Sequence, residues 1–316
     1  MYSKSFPFFI LHKENYYLHM QELAPIVLFV YNRPWHTEQT VKSLKENKLA
    51  AGCDLVIYSD GAKSEKDKYA VKKVRDFVEK ITGFKSIQII NRKQNFGLAG
   101  SVISGINEIF QNYNKVIVIE DDIVSSKNFL QFMNKALKIY EDDERIFSVS
   151  GYTFPFKIPK EYIDSTFISY RSSSWGWGTW KDRWLKVDWE IKDYGEFKKD
   201  KNAQMLFNRG GKDLTPMLHS QINLKIDSWA IRWAYAHFKN DAYCLFPVHS
   251  KIKNIGTDSS GTHSDTSSKF DVLIDDDEGS TRLKRELALD NELVKNMQKF
   301  NRPNLFRRIV NRLRWN

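Results

Sequence analysis

VIVIEDDIV, residues 116–124, decides how the chain is read. Val116 to Ile119 form a β-branched apolar run, short enough for a strand and apolar enough to be buried on both faces. Glu120, Asp121 and Asp122 follow with no basic residue among them. Adjacent carboxylates repel one another, and at the end of a buried strand they also lose hydration. A divalent cation would relieve both costs. Oxygen ligands suit Mg2+ or Mn2+, which take one or two carboxylates and fill the rest of their shell with phosphate and water. The alternative is a solvated acidic turn that caps the next helix.

Working outward, the same kind of apolar run recurs. Residues 25–31 (PIVLFVY), 55–58 (LVIY) and 87–90 (IQII) predict strands. Helical patterns fall at 36–47, 68–81, 97–110 and 128–140. Strands alternating with helices predict an α/β fold with a mainly parallel sheet and helices on both faces. In such sheets ligands bind outside the carboxyl ends of the strands. Tyr31-Asn32-Arg33, Ser59-Asp60-Gly61 and Glu120-Asp121-Asp122 all stand at strand ends, so three polar clusters are expected on one edge. After residue 150 the pattern changes to aromatics and turn residues, including SSSWGWGTW at 172–180. Residues 216–239 read as helical and 247–265 as a loop region.

With 316 residues the chain is long enough for one large domain or two small ones. The formal net charge of +10 favours an anionic partner: nucleotide phosphates, nucleic acid or an acidic membrane face. Two distant cysteines, Cys53 and Cys244, argue for buried reduced thiols and against a zinc site. The apolar stretch at 6–11 is broken by Pro7 and lacks a cleavage pattern, so a protein facing the cytoplasm is expected, soluble or peripheral on the inner membrane face.

PIVLFVYNRP, YSDG, NFGLAGSVISGI and VIVIEDDIVSSKNFLQFMNKAL, in that order, resemble the GT-A glycosyltransferases of the bacterial family 2 type. EDDIVSSKNFL followed by SVSGY also resembles the N-acetylglucosaminyltransferase I type, and SSWGWGTW and DSWAIRWAY resemble later parts of both. The resemblance covers about residues 24–265. It implies a Rossmann-like GT-A domain there, with a nucleotide-sugar-binding half at 24–150 and an acceptor half at 151–265. Residues 1–23 form an N-terminal arm, and 266–316 a polar linker with a basic amphipathic tail.

Carried over residue by residue, the resemblance makes Asp122 the ligand of Mn2+ or Mg2+. Glu120 and Asp121 would contact the ribose and sugar of the donor, a UDP-sugar being favoured, and Asp60 the nucleoside. Asn32 and Arg33 would line the base and diphosphate, with Gln94 and Asn95 as further contacts. Each has a plainer reading: SDG is also a tight turn, Arg33 also a surface residue before proline, and NFGLAGS also a site of close helix–sheet packing. NFGLAGS matches neither a dinucleotide nor a Walker pattern, so dehydrogenase and kinase readings fail on spacing.

Inverting transfer needs a general base for the acceptor hydroxyl. Asp227 in KIDSWAIRWAY resembles the acidic residue before a tryptophan that has this role in similar enzymes, some of which carry two adjacent acids where this chain has Asp227-Ser228; a helix N-cap is the alternative. Trp175 and Trp177, among glycines and serines, are the expected acceptor platform, or else packing residues. Trp180, Trp184, Trp229 and Trp233 have core-like spacing. His249 and His263 lie in the late loop, where His263 is a further candidate metal ligand. The segment 304–316 (NLFRRIVNRLRWN) suits an anionic membrane surface, which a lipid-linked or glycan acceptor in surface polysaccharide synthesis would explain. A nucleotidyltransferase is the alternative enzyme, but YNRPWHTEQT lacks its glycine-rich phosphate loop. A basic nucleic-acid-binding protein is the non-enzymatic alternative; no nucleic-acid motif is present.

Overall fold

The computed structural model describes residues 23–258, 268–277 and 282–302. Four strands run as the apolar pattern predicts: β1 (Ile26–Val30), β2 (Asp54–Ser59), β3 (Ser86–Asn91) and β4 (Lys115–Glu120). Between them lie α1 (Pro34–Lys45), α2 (Glu65–Val78) and α3 (Gly97–Ile109), and after them β5 (Ile123–Ser125) and α4 (Phe129–Ile139). Pro34 opens α1, where its missing N–H costs nothing. Next come β6 (Ile146–Ser150), β7 (Thr166–Ser169), β8 (Trp177–Trp180), α5 (Lys181–Trp184), α6 (Tyr194–Phe197), α7 (Lys201–Phe207), α8 (Leu214–Ile222) and α9 (Trp229–Lys239). The chain continues through β9 (Tyr243–Pro247), β10 (Ile252–Asn254) and α10 (Asn291–Phe300).

Eight strands form one sheet in the order β3-β2-β1-β4-β8-β6-β9-β7, and β5 pairs with β10 in a separate two-stranded ribbon. The β3-β2-β1-β4 half is parallel throughout, as is the β6–β9 pair. The strand β8 runs against both of its neighbours, and β7 runs against β9. The sheet is therefore mostly parallel, with helices on both faces, as the α/β pattern predicts.

Side chains alternate across each strand, which sorts the core into two layers. Ile26, Leu28, Val30, Leu55 and Ile57 face α1, α2 and α4, through Val41, Leu44, Val74, Val78 and Met133. Val27, Phe29, Val56 and Tyr58 face α3 and α9, through Val102, Ile106 and Trp233. Because both faces are covered, the carboxyl edge of the sheet is where a ligand can approach.

The stretch 216–239 is two helices rather than one. It breaks at residues 223–228, where Leu224 takes a left-handed conformation (φ 55°). The linker expected from residue 266 onward also holds packed structure. Leu293 and Met297 of α10 are buried against Phe167 of β7 and Phe246 of β9. Lys251, itself buried, pairs with Asp275 at 2.7 Å, and Asp276 accepts a hydrogen bond from the Lys127 N–H at the approach to α4 (2.9 Å). Apolar spacing in NELVKNMQKF explains the helix. The arm at 1–22, His263 and the basic tail from 303 lie outside the described residues. No helix among the described residues is long and apolar enough to cross a membrane.

Candidate active site

The sheet register sets the site. Phe29 of β1 is level with both Tyr58 of β2 and Glu120 of β4. The three strands therefore end together, and the residues after each end are neighbours. Asp121 is fixed from two sides: Thr40 of α1 donates to its carbonyl (2.8 Å), and the Tyr31 N–H makes a long contact to its carboxylate (3.4 Å).

Arg33 reaches across from the end of β1. Its Nη1 donates to Asp122 Oδ2 at 2.8 Å and lies 3.6 Å from Asp121 Oδ1. On its other side Nη2 is 3.9 Å from Asp258 Oδ1, and Asp258 Oδ2 lies 3.1 Å from Nε2 of the buried His36. The strands β5 and β10 bring that late segment here. The Ile255 N–H donates to the Asp122 carbonyl at 2.8 Å, and Gly256 lies directly over the Asp122 carboxylate. A side chain at 256 would bring its Cβ within 2.1 Å of Asp122 Oδ2.

Electrostatics follow from this crowding. Burial, reinforced by Asp122 and then Asp121, pushes the Glu120 carboxyl well above its ordinary range. Burial and Asp122 push Asp121 up to about 7. Burial holds His36 below its ordinary value, with the Arg33 charge adding to it and Asp258 opposing. These are the signs of negative charge packed more densely than one guanidinium neutralises.

Among the described residues there is no preformed cluster of three His, Cys, Asp or Glu that could hold a metal ion. The chemistry of the donor set nevertheless fits a hard cation. Asp122 Oδ1 is buried without a hydrogen-bond partner, and a single carboxylate suffices for Mg2+ when phosphate and water fill the shell.

The other expected site residues are placed as follows. Asp60 accepts hydrogen bonds from the Gly61 N–H (2.9 Å), the Phe96 N–H (2.9 Å) and the Asn95 side-chain amide (3.1 Å). Asp60 and Asn95 thus hold the β2 and β3 loops together at the same edge, and Gln94 is exposed beside them. Asn32 donates to Asp67 at the start of α2 (3.0 Å). Asp227 is 69% exposed and pairs with Arg232 at 3.2 Å; the residue that caps α9 is Ser228, which accepts from the Ile231 N–H. Trp229 stacks on Trp177 at 5.1 Å, and Trp177 is level with Val118 of β4.

Trp177 is not an acceptor platform. It has no exposed surface and packs among Trp184, Trp229 and Trp233, because β8 is an interior strand whose residue 177 points into the α9 layer. Trp175 is partly buried and meets Tyr152 edge-on at 4.6 Å, with Phe270 at 5.8 Å. Exposed aromatics do stand at the carboxyl edge, but they are Trp35 (57%) at the start of α1 and Phe96 (51%) before α3. Sequence reasoning missed them, along with His36, Gly256, Asp258 and the buried Arg92. Arg92 donates to Ser101 and Ser104 and lies 4.3 Å from the Phe96 ring centre. For Trp35 and His36 the signal was available: they follow a strand end directly.

No protein-family model matches the sequence, and no curated protein does. Among solved structures the chain is similar to the mannosyltransferase PcManGT from Pyrobaculum calidifontis in complex with GDP-Man and Mn2+. Identity is 14% and the TM-score 0.35, over 72% of this chain and 81% of that one. It is also similar to S. aureus TarS, at 9% identity and a TM-score of 0.37 over 72% of this chain and 36% of that one. For TarS 1-349 the values are 9% and 0.35, over 72% of this chain and 59% of that one. Scores this low carry no argument, and the fold rests on the strands and helices themselves.

Proposed function

We propose that the chain is a glycosyltransferase that moves a sugar from a nucleotide diphosphate donor to a glycan or lipid-linked acceptor. The observation that carries this reading is the meeting of Glu120, Asp121 and Asp122 with Arg33 at the carboxyl edge of a parallel sheet, where one Asp122 oxygen is buried and unpaired. Carboxylates and a guanidinium side by side suit a ligand that brings both a cation and phosphates.

Asp122 would hold the divalent metal, which would supply Lewis-acid stabilisation of the diphosphate leaving group. Arg33 binds the diphosphate, and Glu120 and Asp121 orient ribose and sugar. Asp227, exposed at the entry to α9, accepts the proton of the hydroxyl as it displaces the nucleoside diphosphate from the opposite face of the anomeric carbon, an inverting transfer. A hexosyl or N-acetylhexosaminyl donor, with UDP favoured as the nucleotide, and a role in surface polysaccharide synthesis on the cytoplasmic face of a membrane complete the proposal.

Thermal shift against a panel of UDP- and GDP-sugars, with and without Mn2+, tests it. At least one donor is expected to raise the melting temperature by a few degrees only when Mn2+ is present. Asp122→Ala should lose that metal-dependent shift; a variant that keeps it overturns the ligand assignment. Asp227→Asn should keep the shift and lose transfer.

A further inference from the structure

We infer that Arg33 is the resident counter-cation of the carboxylate site. Its guanidinium holds Asp122 Oδ2, beside the unpaired Oδ1 of the same carboxylate, and it leaves Asp122 for the donor diphosphate when a divalent cation arrives. The inference rests on the proposed function for what binds, but the exchange itself is argued from the side chains.

Charge is the first consideration. Among the described residues, the ion pairs of Asp121 and Asp122 run to Arg33, at 3.6 and 2.8 Å. The guanidinium thus fills the electrostatic role that a metal would fill, and two cations at one carboxylate repel one another strongly in a partly buried setting.

The second consideration is how poorly Arg33 is held. Its Nε and Nη2 are buried without a hydrogen bond, although a guanidinium has five N–H donors to satisfy. A buried donor left unpaired is costly, and among the described residues the one side-chain hydrogen bond that holds the guanidinium is that to Asp122. Asp122 is in the same condition, with Oδ2 taken by Arg33 and Oδ1 buried and unpaired. Both partners are half-used, which distinguishes the pair from a structural ion pair such as Arg171–Asp213, where Nη1 and Nη2 each donate at 2.9 Å to a separate oxygen of the carboxylate.

A path out of the pair exists. Asp258 lies 3.9 Å from Nη2 and is 48% exposed. A rotation off Asp122 therefore keeps a carboxylate within reach while presenting the planar fork outward, where two phosphate oxygens fit it. Gly256, packed against both groups, adds no side chain of its own there.

Calorimetry with Mn2+ alone, on wild-type protein, Arg33→Met and Arg33→Lys, tests the exchange. Arg33→Met is expected to bind Mn2+ about tenfold more tightly than wild type, because a competing positive charge is gone. With Mn2+ saturating, the same variant is expected to bind GDP or UDP about tenfold more weakly. Arg33→Lys keeps the charge and should stay near wild type for Mn2+. A merely structural role would weaken both affinities together. Equal or weaker Mn2+ binding by Arg33→Met overturns the inference, as does the absence of Mn2+ binding in all three proteins. Should Arg33→Met not fold, the wild-type Arg33 Nε–Hε resonance is followed in a Mg2+ titration without nucleotide. It is expected to move, and a resonance unmoved by Mg2+ overturns the inference. If wild-type protein binds neither GDP nor UDP, the donor reading fails while the Mn2+ comparison still decides this one.

Discussion

At Gly256 a single methyl group separates an open site from a blocked one. An added Cβ would stand 2.1 Å from Asp122 Oδ2 and 2.6 Å from Arg33 Nη2, closer than real contacts allow. Gly256→Ala is therefore expected to displace the carboxylate or the guanidinium and abolish the Mn2+-dependent donor shift. The melting temperature of the free protein should change little, because the strain sits in a loop outside the main core; thermal scans with and without donor read both effects. No sequence pattern marks the convergence of Gly256 and Asp258 on Asp122 and Arg33. They converge only because β10 pairs with β5, and the pairing of strands some 130 residues apart is a property of the folded sheet. Glu120 to Asp122 were legible for the opposite reason: an apolar run and its polar end are contiguous. Trp177 misled because glycines on either side suggest an exposed turn, whereas here they let an interior strand pack closely. Gly178 faces the Val116 carbonyl at 2.9 Å from its would-be Cβ.

At the scale of elements, the parallel half of the sheet announces itself. Each of β1, β2 and β4 is buried almost throughout, and each leads, β4 by way of the short β5, to a helix with its own buried apolar face. The second half does not. Its strands β6, β7, β8 and β9 are four or five residues long and contain Ser, Thr, Gly or Cys at positions that tertiary packing alone makes interior. The helix α10 belongs with this half, since its buried pair seals the layer beside β7 and β9. Leu293→Ala should cost about 2–5 kcal/mol of stability, the usual range for a fully buried leucine, measured by urea unfolding. A loss below half a kcal/mol would mean that α10 is not part of the folded unit.

For the whole molecule, His237 sets an acid limit. It is wholly buried on α9, with Nδ1 donating to the Trp233 carbonyl and Nε2 receiving the Ser148 hydroxyl at 2.8 Å. Burial lowers its pKa to about 4 from the ordinary 6.5. The unfolded chain therefore takes up this proton before the folded one does. Stability contributed by the neutral ring is complete above about pH 6.5 and is lost progressively as pH falls toward 4, by roughly 3 kcal/mol. Unfolding free energies measured between pH 7 and 4.5 should fall on this account. The fall should be shallower in His237→Gln, whose side chain does not titrate; equal slopes would assign the acid sensitivity elsewhere.

The position of β8 also has a bearing on biosynthesis. It is the joint between the β3-β2-β1-β4 half and the β6-β9-β7 half, yet it follows both β6 and β7 along the chain. As the polypeptide leaves the ribosome, the first half can assemble from local βαβ units while the free side of β4 waits unpaired for residues 177–180. The other half then waits for β9 and α10, which follow β8 by more than sixty residues. Long-range pairing of this kind is slow and leaves strand edges open meanwhile. Nascent chains halted before residue 177 should therefore bind chaperones and aggregate more readily than chains that already include α10.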